Sequence, residues 1–231
     1  RLLVRHPHVE GGALKEIHYF DNRFYEGIEW YRRQFPPPRW MNGHKTITGE
    51  ATPAYLFLPY IPERVKEAAP EVRLIALLRN PVNRAYSHYH HQVRLGDESR
   101  SFDEAVRAEE ARLRDRHDIV PGFEYAAYSG RRLSSYLARG IYVDQLVRWT
   151  TLFDDDQLLV LKSEDFFERR EETVKQVLRF LGLPEQTPQE GRVRNKGDYA
   201  PMEPATRRRL EEFFEPHNQR LYEYLGVDFN W

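Results

Sequence analysis

Two short apolar stretches punctuate the chain, Leu74 to Leu78 and, within Gln157 to Lys162, a second. Each has the length of a buried strand. Lys15 to Asp21 alternates instead, with Ile17 and Tyr19 on one side and Glu16, His18 and Phe20 on the other, which predicts a short strand. Lys45 to Thr48 predicts another. Elsewhere apolar residues recur at three- and four-residue intervals. That spacing predicts helices over Tyr25–Phe35, over Glu63–Ala69, from Pro81 to about Leu95, within Tyr125–Trp149 and over Val174–Leu181. Pro36–Pro38 stops the first of these, and Gly182 with Pro184 stops the last. Residues 97–118 set much charge on few apolar anchors (Phe102, Ala105, Val106, Leu113), predicting a solvated helix that acts as a flap. The closing helix, Pro204–Leu225, is expected to break at Pro216. Residues 1–9 read as the tail of a helix cut off at Pro7. Strand and helix alternate in this order without any repeat, which predicts one α/β domain with a central parallel sheet flanked by helices.

Of these elements, the corner after Leu78 has the most pointed chemistry. Asn80 stands where an N-cap belongs and Pro81 where a helix starts, so Arg79 falls between a strand's carboxyl end and a helix's amino end. Ligands bind at such places in open α/β sheets, and helix N-termini favour anions. Along the helix Arg84, Ser87, His88 and His91 share a face. Two readings fit. Arg79 and Ser87 grip a phosphate, the arginine by a bidentate fork, or the arginine pairs with a carboxylate and the corner is purely structural.

Composition narrows the choice of partner. A chain of 231 residues, 40% hydrophobic and 31% charged, can bury a core. Its formal net charge of −1 gives no overall field for nucleic acid or anionic lipid, so any anion site is local. There is no cysteine, hence no disulfide, thiol nucleophile or thiolate zinc site. No apolar run approaches the roughly 18–20 residues needed to cross a bilayer. With no signal peptide in view, a cytoplasmic protein is expected. The chain opens on Arg1 rather than methionine, so its native start is expected to lie upstream. His88, His90 and His91 suggest a metal cluster, but adjacent positions 90 and 91 point to different helix faces, and no metal is expected.

Five separated segments then align with one family. They are Lys15-Glu-Ile-His-Tyr-Phe-Asp21, Gly49-Glu-Ala-Thr-Pro-Ala-Tyr55, Leu77-Leu-Arg-Asn-Pro-Val-Asn-Arg-Ala-Tyr-Ser-His-Tyr89, Phe180-Leu-Gly-Leu183 and Asn195-Lys-Gly-Asp-Tyr199. In this order they resemble the sulfotransferase domain that uses 3′-phosphoadenosine 5′-phosphosulfate (PAPS), in its heparan-sulfate and bacterial branches. The resemblance implies a three-layer, P-loop-like fold. It implies that Arg79 and Ser87 bind the 3′-phosphate of the donor and that Glu16 is the general base. It places His18 at the catalytic site and Lys15 and Asp21 on the acceptor side. Lys196 and Gly197 would close over the donor, the lysine offsetting charge on the leaving group. The reaction would be an in-line displacement, governed by positioning and positive charge and needing no metal. The acceptor would be a glycan, a small metabolite or an acyl-type molecule, with sulfation on oxygen or nitrogen left open, as is the oligomeric state.

Two departures stand beside the resemblance. The family's phosphate loop, of Lys-Gly-Thr-Thr type after a first strand, is not in these residues, so a domain truncated at its N-terminus is expected. Glycan-acting members commonly carry a lysine where Ala51 stands, which weakens the case for an acidic sugar chain. The rival readings are a non-catalytic nucleotide-binding domain of the same fold and a nucleotide-dependent phosphotransferase. The last should show a Walker-type lysine and a magnesium-holding acid, and neither is present.

Overall fold

The computed structural model describes residues 3–41, 43–114, 135–186 and 199–231. They fall into two compact units. The first draws on Arg1–Leu78 and Gln145–Val193, the second on Arg79–Asp144 and Arg194–Trp231.

The first unit carries the parallel β-structure. Strand β1 (Val9–Gly11) pairs in parallel with β4 (Ile47–Gly49), and β5 (Leu74–Leu78) with β6 (Leu158–Lys162). A small antiparallel hairpin, β2 (Trp40–Met41) with β3 (His44–Lys45), precedes β4. Around these lie α1 (Tyr19–Asn22), α2 (Ile28–Arg32) and α3 (Ile61–Ala68), then α7 (Ser163–Glu168) and α8 (Arg170–Phe180) after β6. The order confirms an α/β fold with parallel strands flanked by helices. Val174, Leu178 and Leu183 at the end of α8 are buried together, with Leu3, Val9, Ile47 and Phe166 against them. Each fully buried aliphatic side chain of this kind contributes about 1.5–3 kcal/mol.

β5 and β6 form as expected, but β5 is not buried on both faces. Ala76 and Leu78 are covered, whereas Ile75 and Leu77 are 38% and 52% exposed. A uniformly apolar run carries no period-2 signal, so its sequence does not distinguish one covered face from two.

The second unit is helical. Helix α4 (Pro81–Leu95) is followed by α5 (Phe102–Arg114), by a turn at residues 135–140, and by α9 (Pro204–Leu225); α6 (Tyr142–Thr150) starts in this unit and ends in the first. Val82, Ala85, Phe102, Ala105, Val106, Leu137, Leu210 and Phe214 make its core. Three expectations are corrected here. Helix α5 is not a solvated flap: Phe102, Ala105, Val106 and Glu109 are all buried along one face. The side chain of Leu113 and residues 115–134 lie outside the described residues. Helix α9 runs unbroken through Pro216, with Leu210 and Phe214 before it and Leu221 and Tyr222 after it held on one buried face. Of the expected helix tail at residues 1–9, the described part forms a single 3₁₀ turn, Leu3–Arg5, and then the start of β1. Among the described residues no helix is long and apolar enough to cross a membrane.

Candidate active site

The segment from Lys15 to Asp21 departs most from its sequence pattern. It is not a strand. Glu16 and His18 both sit at φ +56°, in the left-handed region, and Tyr19–Asn22 forms one turn of helix. Ile17, Tyr19, Phe20 and Asp21 are all buried, a run of neighbours that an alternating strand cannot bury together. A left-handed non-glycine residue costs on the order of 1–3 kcal/mol and persists only where its surroundings dictate it.

Those surroundings are polar. His18 Nδ1 lies 2.9 Å from Asp21 Oδ2, and the Asp21 side chain is fully buried. A carboxylate only accepts, so Nδ1 carries the proton and a neutral ring turns its Nε2 lone pair outward. That Nε2 is 3.8 Å from Glu16 Oε2, while Lys15 Nζ is 2.8 Å from Glu16 Oε1. About a third of the Glu16 side chain is exposed. Lys15, Glu16, His18 and Asp21 are therefore brought together as a line of alternating charge and imidazole, its outer part open to solvent.

The loop after β4 supports this line from below. Thr52 Oγ1 donates to Glu50 Oε2 at 2.9 Å, and Tyr55 Oη donates to Glu50 Oε1 at 3.1 Å. The same hydroxyls accept from backbone amides, Thr52 from His18 at 3.4 Å and Tyr55 from Phe20 at 3.3 Å. Burial, with the Glu50 carboxylate nearby, pushes the Tyr31 and Tyr55 phenols upward from their usual range. Arg64 of α3 donates to the Phe20 carbonyl at 2.7 Å and lies over the Phe24 ring. Ala51 is exposed.

The Arg79 corner lies in the second unit. Asn80 caps α4, its side chain accepting from the Asn83 amide at 3.0 Å. Pro81 has no amide hydrogen, so Val82 keeps the one amide of this first turn not consumed by the cap. The helix end therefore offers an anion little, and Arg79 is the positive group nearest to it in the chain. Arg79 is exposed, and its guanidinium makes no hydrogen bond or ion pair among the described residues; only its carbonyl is held, by Tyr142 Oη at 2.8 Å. No acidic residue occupies the first turn of α4. Ser87 lies half-buried about 10 Å further along the axis. A free guanidinium, a hydroxyl and no carboxylate in that first turn suit a phosphate.

Arg84, on the same face by spacing, is not free. It donates to the carbonyls of Ser135 at 3.3 Å and Tyr136 at 2.7 Å. Glu109 takes the amides of the same turn, from Tyr136, Leu137 and Ala138 at 2.5, 2.8 and 2.9 Å. Burial raises the Glu109 carboxyl, and these three amides oppose the rise. His88 is driven down to about 3, chiefly by burial and then by Arg84 and Arg139. Lys196 and Gly197, with Arg192 and Arg194, lie outside the described residues.

Residues 2–198 match the sulfotransferase domain as a family. This chain belongs to that family. The domain is 31% identical over 250 residues to heparan sulfate glucosamine 3-O-sulfotransferase 6 of Homo sapiens, covering 98% of this chain and 67% of that protein. It is 24% identical over 294 residues to the membrane-associated sulfotransferase kil1 of Dictyostelium discoideum, covering 99% of this chain and 62% of that protein. The chain thus spans about two thirds of the length of these relatives. A sulfotransferase crystal structure from Alicyclobacillus acidocaldarius superposes with a TM-score of 0.77 at 28% identity, covering 99% of this chain and 90% of that one. Membership makes the domain a transferase by type.

Two groups of residues were not picked out by sequence reasoning. Glu50, Thr52 and Tyr55 sat inside a matched segment but had no role. Glu109 was one charge in a run of many, and its three-residue spacing from Val106 and its seven from Phe102 were the available signal.

Proposed function

We propose that this sulfotransferase domain moves a sulfuryl group from PAPS to a hydroxyl of a sugar or small metabolite, with an amine as the less favoured acceptor. The observation that carries the reading is the Glu16–His18–Asp21 line, partly open and anchored on a buried aspartate, in a chain of this family. PAPS supplies the sulfuryl group and a phosphate leaving group. Glu16 accepts the proton of the attacking hydroxyl as the sulfur–oxygen bond forms. A positioned carboxylate of this kind contributes about 10²- to 10⁴-fold. His18, fixed in one tautomer by Asp21, presents its Nε2 to Glu16 and takes up positive charge should the proton pass on. Lys15 holds the other Glu16 oxygen and sets its orientation toward an incoming acceptor. Arg79 and Ser87 would hold the 3′-phosphate of the donor, and Lys196 with Gly197 its sulfuryl end. No step of this scheme calls on a metal. The exposed Ala51 leaves a neutral or small acceptor as well suited as an acidic glycan.

The test has two stages. Adenosine 3′,5′-bisphosphate should raise the melting temperature of the protein, since a ligand binding the folded state stabilises it. Labelled PAPS is then offered with N-sulfated glucosamine oligosaccharides, neutral sugars and hydroxyacyl compounds. Absence of both a thermal shift and label transfer from PAPS would sink the proposal.

A further inference from the structure

The short helix α1 begins without an ordinary cap. His18 is at its N-cap position, yet the His18 side chain makes no capping bond and turns to Asp21 instead. The amides at the start of this turn still need acceptors. Two are supplied from the loop after β4: Thr52 Oγ1 takes the His18 amide and Tyr55 Oη takes the Phe20 amide. Both hydroxyls hand their own protons to one carboxylate, Glu50. A hydroxyl that donates to an anion is a stronger acceptor, and chains of such bonds reinforce one another. The negative charge also sits at the positive end of the turn.

We infer that Glu50 is a positioning residue: through Thr52 and Tyr55 it acts as a remote N-cap that holds the Glu16–His18 backbone in its left-handed form and frees the His18 imidazole for the site. The inference rests on the proposed function for its catalytic meaning, but the clamp itself is read independently. Glu50 touches neither Glu16 nor the His18 ring, so its effect travels through the backbone. Any side chain lacking two strong acceptor oxygens leaves one hydroxyl without its partner.

Glu50→Gln is the direct probe, with Thr52→Val and Tyr55→Phe as separate variants should it fold poorly. In ¹⁵N spectra the His18 and Phe20 amides should exchange with solvent at least tenfold faster in Glu50→Gln, and amides of α9 should not change. The His18 ring should lose its uniform Nδ1-protonated signature, which a merely structural weakening elsewhere would not alter. In transfer from PAPS to the oligosaccharide panel, kcat should fall about tenfold with KM for PAPS unchanged. Combining Glu50→Gln with Thr52→Val should add little to either alone. Unchanged exchange at both amides in Glu50→Gln, or a His18 tautomer identical to the unaltered protein, overturns the inference. Failure of the unaltered protein to bind adenosine 3′,5′-bisphosphate would instead count against the function and leave the exchange result to decide the clamp.

Discussion

The Glu16 segment and the Arg79 corner are built on opposite plans. Around Glu16 nearly every polar group has a partner: His18 on Asp21, Lys15 on Glu16, Thr52 and Tyr55 on Glu50. At Arg79 the backbone is fixed, by Tyr142 and by the Asn80 cap, while the guanidinium is loose. Even the neighbouring Arg84 is spent on scaffolding. A group that must take a proton in flight profits from being set beforehand, because reorganisation then costs nothing during reaction. A group that must catch a doubly charged phosphate profits from reach. The difference fits the proposed division, with chemistry in the first unit and capture in the second.

Four experiments can break that contrast, from the largest expected effect down. Glu16→Gln should lower label transfer from PAPS by about 10²- to 10⁴-fold while adenosine 3′,5′-bisphosphate still raises the melting temperature; near-normal turnover would remove Glu16 as base. Arg79→Ala should do the reverse. Loss of charge-assisted hydrogen bonds worth about 1.5–3 kcal/mol weakens nucleotide binding by roughly 10- to 100-fold in calorimetry. If both variants lose binding and turnover alike, the division of labour is wrong.

The remaining two examine the scaffold under the corner. A Cβ on Gly140 would meet Phe214 Cε1 at 2.6 Å and Pro81 Cβ at 3.0 Å, and Phe214 is wholly buried. Gly140→Ala should therefore cost about 1–3 kcal/mol in denaturant unfolding, the usual toll of overpacking. His88 gives a pH signature. Its folded pKa of about 3 lies below the unfolded 6.5, so between these values the unfolded chain binds the extra proton. Its contribution to stability is complete above pH 6.5 and is lost as pH falls toward 3, by at most about 1.4 kcal/mol per unit. Replacement by Gln should flatten that slope in unfolding midpoints measured from pH 7 to 4.

The sequence displayed the scaffold better than the site. β5 and β6 could be placed as apolar runs of strand length, and α3, α4 and α8 because their burial repeats with a helical period or their ends carry Asn80, Pro81 and Gly182. Residues 15–21 could not, because left-handed Glu16 and His18 break the alternation their side chains suggest. Helix α5 was misjudged for a different reason. Its buried Glu109 reads as one more solvent charge until the three amides that neutralise it are brought from residues 136–138, beyond any local pattern. Family resemblance singled out Glu16, His18, Asp21, Arg79 and Ser87 as candidates, but not their unlike surroundings. The Glu50 clamp was hidden because its parts make sense only once the chain folds back: Thr52 lies 34 residues from His18, and Tyr55 35 from Phe20.

The cap on α4 bears on how the protein behaves in different media. With Pro81 lacking an amide and Asn80 occupying another, the helix end offers little that salt cannot reach. In the proposed role, the grip on a phosphate then rests on an exposed guanidinium, whose attraction is screened over about 8 Å at physiological ionic strength. Affinity for the nucleotide should slacken steadily as salt rises, and the exposed Lys15–Glu16 pair should loosen with it, whereas the contact of His18 with the buried Asp21 should hardly register the change. Ionic strength becomes a dial on occupancy more than on the setting of the His18 ring.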